Sequence, residues 1–433
     1  MRKVFFGPVI LLLLYHASFC QTKEQTLHDL NKLLVDVVMD DLFTPPIASR
    51  IYTYPHIAFY ECIRNDDPAF TDLSGKLNGL KKLPKPGSGI DHFISACVAY
   101  SWVAQGLVGS EYKIENWREH FLDSINNKLD NDIVSRSAAF GKIMADSINV
   151  WIRRDNYLET RGLLRHVISK KDGGWSPTPT EYAPGMEPHW NKIRPMTLSS
   201  ANMFSPKVKL VYSPSKHSIF YKNVKEVYDM DMNLDSNKRL IAKYWDDNPN
   251  ASVVEGHLSY FVHKISPGGH WMRIAEQALE QKNIPLVKAS LIYSLTGIAI
   301  FDAFIATWDE KYKTDLIRPV TVINQHINEN WKPYLDTPPF PEFTSGHAVI
   351  SNAAASILTR SLGENYAFTD YTEIPFGLEP RKFTSFLDAA KEASWSRVYG
   401  GIHYPETARI SISTGQLIGN YVYQKLVPKG FSK

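Results

Sequence analysis

LHDLNKLLVDVVMDDL, residues 27–42, is the stretch on which the fold class turns. Its apolar residues recur at intervals of three and four, the spacing that gathers them on one face of an α-helix. The run stops at Pro45-Pro46. The same periodicity predicts helices over 92–108, 135–153, 286–308, 348–362 and 381–400, and a last one from Pro405 to Leu426. Sustained period-two alternation is hard to find, so the expected class is all-α.

The 433 residues, 44% hydrophobic and 21% charged, suffice for a sizeable core. Two of the three net positive charges are Arg2 and Lys3, so a processed chain is close to neutral. A generally basic surface for nucleic acid or an anionic membrane is therefore not supported. Residues 1–20, MRKVFFGPVILLLLYHASFC, read as an export signal: a charged start, an apolar run too short to span a bilayer, then a small-residue cleavage region. The expected location is periplasmic or secreted. A lipid anchor on Cys20 ranks second, because Phe19 is a poor fit before it. No later segment reads as a transmembrane helix. Cys62 and Cys97 form either one bridge or two core thiols. Residues 21–433 are expected to form one compact helical unit, with an N-terminal part over 21–205 and a catalytic core over 235–430. No pattern specifies an oligomeric state. GGWSPTPTEYAPGMEPHWNKIRP, 173–195, is too rich in proline and glycine for regular structure. It is expected to pack across the helices or to help wall an active-site mouth.

Three clusters in the last third carry chemistry. In WDEKYKTDLIRP, 308–319, Lys311 and Arg318 are two helical turns apart, which would put both cations on one face, with Pro319 ending or kinking the element. In FPEFTSGH, 340–347, Thr344 or Ser345 suits the N-cap of a helix opening at Ala348. Free amides at a helix start bind anions, and Gly346 carries no side chain to hold one away. In WSRVYGGIHYPE, 395–406, Arg397 ends one helix, Gly400-Gly401 break it, and His403 stands just before the next. Each cluster alone fits a capped helix or a solvated stripe. Together they supply three cations, a hydroxyl, a glycine amide and two imidazoles, which is what a tetrahedral oxyanion needs. Neither a GxxxxGK[ST] loop nor an HExxH motif occurs.

Lys311-x6-Arg318-Pro319, Ser345-Gly346-His347 and Ser396-Arg397-x5-His403 together resemble the three-part signature of vanadium-dependent haloperoxidases and type-2 phosphatidic acid phosphatases. The loop after Trp175, PGGHW (267–271) and FDAFIATWDEK (301–311) are similar to bacterial haloperoxidases. The resemblance implies a helical-bundle fold and vanadate as cofactor, with His403 bonding its vanadium. Lys311, Arg318 and Arg397 would neutralise its oxygens, Ser345 and the Gly346 amide would donate to them, and His347 would handle the peroxide proton. Trp308 and Phe340 match aromatic pocket positions. The implied substrates are hydrogen peroxide and a halide, iodide first and bromide next. One departure stands out: the family often has Asp four residues after the bonding histidine, and this chain has Thr407, with Glu406 beside it as a substitute. Asp302, or Asp246 or Asp247, is the expected partner of the buried cations. The same cage fits an exported acid phosphatase, in which His403 attacks a phosphate ester and His347 protonates the leaving group. A non-catalytic oxyanion-binding protein is the third reading. Length, Trp308, Phe340 and Thr407 favour the peroxidase.

Overall fold

The fold comes from a computed structural model that describes residues 22–427 apart from 180, 250–251, 256–257 and 262, with only the backbone for 252–261. Residues 1–20, read as an export signal, and Cys20 with them, lie outside the described residues. The chain opens with α1 (Lys23–Asp40), capped by the Thr22 hydroxyl on the Gln25 amide. Pro45 and Pro46 then begin a helix, α2 (Pro45–Ile63), instead of ending a region of order, since proline is preorganised for a first helical turn. The α2 helix escaped the periodicity reading because it is buried all round and has no polar face to set a period.

Next come α3 (His92–Gln105), α4 (Glu111–Asn126), α5 (Asn131–Ile152) and the short α6 (Tyr157–Arg161). After the irregular stretch that contains 173–195 the chain forms α7 (Ile219–Met232) and α8 (Ser236–Tyr244), then a hairpin of β1 (Ser252–Glu255) and β2 (Leu258–Phe261). Then follow α9 (Pro267–Gln281), α10 (Leu286–Thr314), α11 (Pro319–His326) and α12 (Gly346–Leu362). A second small hairpin pairs β3 (Phe368–Asp370) with β4 (Arg381–Phe383), and α13 (Phe386–Tyr399) and α14 (Pro405–Leu426) close the chain. The all-α class holds, with one correction: 381–400 is not one helix. Arg381–Phe383 pairs as a strand, and Ser385 caps the helix proper by accepting from Asp388 N–H.

The α10 helix organises the molecule. It packs on α1, α2, α9, α12 and α14, while α3 and α5 pack on α2, and α13 on α12. One continuous apolar core therefore runs from Leu27 to Val427. Contrary to the expectation, Leu286–Thr314 is long and apolar enough to cross a membrane, but the whole of its apolar window is buried inside the protein. Cys62 on α2 and Cys97 on α3 are both free and buried, and burial raises both thiols well above their ordinary range. They are core thiols, not a bridge.

Candidate active site

Five helix ends meet at the site. Lys311 lies in the last turn of α10, which stops at Asp315 in a left-handed conformation (φ 52°). Leu316 then bridges to Gly174, and Arg318 is the extended N-cap of α11. Lys311 and Arg318 thus do not share a helical face, because the helix ends between them. They approach each other through a turn. Ser345 is the N-cap of α12, which opens at Gly346. Arg397 ends α13, Gly400 caps it, and Gly401 turns the chain at φ 77°. That turn brings His403 two residues ahead of Pro405, the first residue of α14.

His403 is oriented by a carboxylate that the sequence reading missed. Its Nδ1 lies 2.8 Å from Oε1 of Glu342, which also accepts from the Tyr404 amide at 3.0 Å. Glu342 Oε2 accepts from the Thr407 hydroxyl at 2.9 Å. Thr407 therefore does not leave a gap where the family has an acid; it carries the link to a glutamate brought in by the 338–345 loop. Glu406 does not substitute: its side chain pairs with Arg409 at the surface. Burial pushes Glu342 up to about 7, against Arg318, the Tyr404 amide, Lys311 and Thr407, which all favour the ionised form. The only hint in the sequence is an acid between proline and phenylalanine, Pro341-Glu342-Phe343, in an otherwise apolar approach to Ser-Gly-His.

Burial, then Arg318, Lys311, Arg397 and His347, hold the His403 imidazole well below its ordinary value, so the ring is neutral. With its one proton on Nδ1 facing Glu342, the Nε2 lone pair faces Arg318 Nη1 at 3.3 Å. A neutral ring with a free Nε2 is the form that can bond a metal. His347 is likewise held low, first by burial and then by Arg397, His270, Lys311 and Arg318, and its Nε2 has no hydrogen-bond partner. Nor do Arg318 Nη2, Ser345 Oγ and Arg397 Nε, all buried. Buried polar atoms are rarely left unpaired in a folded protein, and four beside one pocket are the imprint of a polar guest. A Cβ added at Gly346 would meet only Trp308 at 3.8 Å and Ile350 at 3.9 Å, ordinary contacts. Protein packing does not demand glycine there, and its absent side chain leaves the amide approachable.

The remaining cations are braced. Arg318 donates from Nε to the Phe340 carbonyl (2.9 Å) and from Nη1 to that of Ile402 (2.8 Å); burial lowers it to about 10. Arg397 donates to the Trp245 carbonyl at 2.7 Å and lies 3.7 Å from Asp246. Asp246 is thus the carboxylate behind Arg397, as expected, and it is shared with Lys264 at 2.7 Å. Asp302 is not: it accepts from the backbone of 196–198 and from the Thr197 hydroxyl. Asp247 turns to His270. Lys311 donates all three ammonium hydrogens to the carbonyls of Pro341, Glu342 and Thr344 (2.9, 3.1 and 2.6 Å), with Nζ 4.7 Å from the Phe340 ring centre. It ties down the loop that carries Glu342, while burial and then Arg318 hold its ammonium well below the ordinary range against Glu342; a direct bond to an oxyanion would require it to release one carbonyl.

The pocket itself is lined by Trp308, Phe340, Gly346, His347, Arg397 and His403, with Pro45, Pro267, Phe304, Pro338, Ile350 and Ile402. Trp308 and Phe340 pack together with ring centres 5.1 Å apart. The 173–195 stretch stands behind this wall rather than in it. The Met186 carbonyl accepts from Trp308 Nε1 (3.1 Å) and Tyr312 (2.5 Å), and the Met186 amide donates to Pro339 (2.9 Å).

Fold and pocket define an all-helical protein with a dry, cationic site for a tetrahedral oxyanion, a histidine on one side of it and a second histidine on another. A family model described as the VCPO second helical-bundle domain matches residues 291–330 and 324–428. Among solved structures, the first bacterial vanadium-dependent iodoperoxidase is 42% identical over 93% of this chain and 96% of its own, with a TM-score of 0.88. A bacterial vanadium-dependent chloroperoxidase, in holo and apo forms, shares the fold at 15% identity, with TM-scores of 0.69 and 0.67 over 89% of this chain and 93% and 94% of those chains. Comparison with curated protein sequences gave no match. With that identity over nearly its whole length, the chain belongs to the vanadium-dependent haloperoxidase family.

Proposed function

We infer that this protein is a vanadium-dependent haloperoxidase that oxidises a halide with hydrogen peroxide at a vanadate bonded to His403 Nε2. The carrying observation is the set of four unpartnered buried polar atoms, on Arg318, Ser345, His347 and Arg397, beside the lone pair of His403. Vanadate supplies a Lewis-acid centre that polarises peroxide for attack by halide. Glu342 holds the His403 proton at Nδ1 and so keeps Nε2 free to bond. Arg318 and Arg397 would offer their free N–H groups, and Lys311 its charge, to the anion, and Ser345 Oγ and the Gly346 amide would donate to its remaining oxygens. His347, neutral in its dry pocket, accepts the peroxide proton at Nε2 and returns one to the departing oxygen. Trp308 and Phe340 keep bulk water from the site.

Iodide is the proposed halide, with bromide next, on the likeness to the iodoperoxidase. We also propose that residues 1–20 direct export to the periplasm or beyond, and that 21–433 work as one unit with the catalytic half over 235–430. The test uses metal-free protein given vanadate, peroxide and each halide in turn, and separately a chromogenic phosphate ester. Halide oxidation that requires vanadate is expected; ester hydrolysis without vanadate, and no halide oxidation with it, would establish a phosphatase instead. His403→Ala is expected to abolish vanadate binding, while His347→Ala binds vanadate and loses turnover. Tight binding of vanadate by His403→Ala would remove His403 as the ligand.

A further inference from the structure

Behind Arg397 lies a second polar cluster that the halide chemistry does not use. Asp247 follows α8, His270 sits in the first turn of α9 within PGGHW, Asp370 ends β3, and Glu373 stands three residues on. All four are buried, at 2%, 0%, 0% and 6% exposure. We propose that Asp247, Nδ1 of His270 and Glu373 hold a divalent cation of the zinc–manganese class, which ties α9 and the β3 segment to the 245–247 turn that supports Arg397.

The geometry carries the proposal. One donor atom from each of Asp247, His270 and Glu373 lies within 4.8 Å of the others. His270 Nδ1 is 2.9 Å from Asp247 Oδ1 and 3.7 Å from Glu373 Oε1. Ligands about 2.1 Å from a zinc-like ion stand roughly 3.0–3.4 Å apart, so the imidazole nitrogen already lies within a few tenths of an ångström of that spacing from each carboxylate oxygen. On the other edge of the ring, Nε2 lies 2.7 Å from Asp370 Oδ2, while Asp370 Oδ1 accepts the Thr372 amide at 2.9 Å. A metal-binding histidine almost always has its second nitrogen tied to a carboxylate in this way.

An independent observation points to a guest. Glu373 Oε1 is buried and has no hydrogen-bond partner, although it faces the imidazole. Three carboxylates surround one imidazole here, and the neighbouring Lys264 is bound to Asp246. A protonated His270 balances one of those charges, and a dication bound in place of its Nδ1 proton balances two. The indole of Trp245 stacks on His270 at 4.6 Å and closes one face to water. One imidazole with two carboxylate ligands suits zinc or manganese better than calcium, which seeks six or more oxygens. Binding moves the proton between Nδ1 and Asp247 to solvent and leaves the Nε2–H on Asp370.

The test titrates the full-length protein, stripped with a chelator, with Zn²⁺, Mn²⁺ or Ca²⁺ alone, while saturating inorganic phosphate occupies the oxyanion pocket. One equivalent of Zn²⁺ or Mn²⁺ is expected to bind with proton release and to raise the unfolding temperature by several degrees at saturation. Asp247→Asn and Glu373→Gln should each weaken that binding at least tenfold, and Asp370→Asn about 10–100-fold. Circular dichroism and retained phosphate binding confirm that each variant is folded. A stripped wild-type protein that binds neither ion in one-to-one ratio and shows no thermal shift overturns the site, whatever the variants do. Folded Asp247→Asn and Glu373→Gln proteins that titrate like wild type overturn it as well.

Discussion

Glu342 touches His403 Nδ1, the Tyr404 amide and the Thr407 hydroxyl, so one buried carboxylate sets both the tautomer of the ligand and the approach of α14. Glu342→Gln keeps the shape and removes the charge. The amide accepts more weakly from Nδ1–H, the ring loses basicity at Nε2, and vanadate affinity is expected to fall about 10–100-fold. Thr407→Ala, which removes one donor to the same carboxylate, should cost less. Both are read by titrating metal-free protein with vanadate; unchanged affinity in Glu342→Gln would show that orientation alone matters. The proposed cage residues Lys311, Arg318, Ser345, Gly346, Arg397 and His403 could be named because their types and order persist in the chain, although the spacing of Lys311 and Arg318 pointed to a shared helical face that the end of α10 removes. Glu342 was not, since its meeting with His403 spans 61 residues and depends on where Lys311 pins the loop. The same limit hid the end of α10 at Asp315, a left-handed residue that no spacing rule marks.

Period marked α1, α3, α5, α10, α12 and α14, while α2, buried all round, has no polar face to set one, and α4, α7, α8 and α9 have a wet face but lie outside the spans that the period marks. The α12–α14 pair shows what else the elements need. A Cβ at Gly415 would lie 2.2 Å from the Val349 carbonyl oxygen, and one at Gly419 2.4 Å from that of Ala353. Glycines one turn apart let the backbone of α14 lie directly on α12, and the atoms they face are backbone, which cannot rotate aside. Gly415→Ala is therefore expected to destabilise the protein by about 2–3 kcal/mol, outweighing alanine's better helix propensity of about 1 kcal/mol. Urea denaturation measures the first effect. A second follows from position: α14 begins two residues after His403 and α12 begins at Gly346, so pushing the helices apart opens the oxyanion pocket. Vanadate affinity should fall in Gly415→Ala although the residue touches no ligand. A stability loss with unchanged affinity would place the adjustment at the far end of α14.

At the scale of the whole molecule, the largest apolar core, which runs through α10, forces polar groups from several helices into dry surroundings. His56 on α2 illustrates the consequence for pH. It stacks on Tyr293 of α10 at 4.7 Å, its Nε2 meets Asn31 at 3.2 Å, and burial alone lowers it to about 3. In the unfolded chain it takes up a proton near pH 6.5; in the folded protein it stays neutral until far lower. The unfolded state thus binds more protons throughout that interval, and the sign of linkage makes stability fall as pH drops below about 6.5. Other groups titrate in the same range, some with the opposite sign, so the effect is isolated by difference. His56→Gln removes this proton and leaves the rest. Its destabilisation relative to wild type, measured by urea unfolding of metal-free protein, should shrink by about 2 kcal/mol between about pH 7.5 and pH 5. A gap that stays constant over that range would mean that His56 gains its proton in the folded state, and that water reaches the seam between α2 and α10.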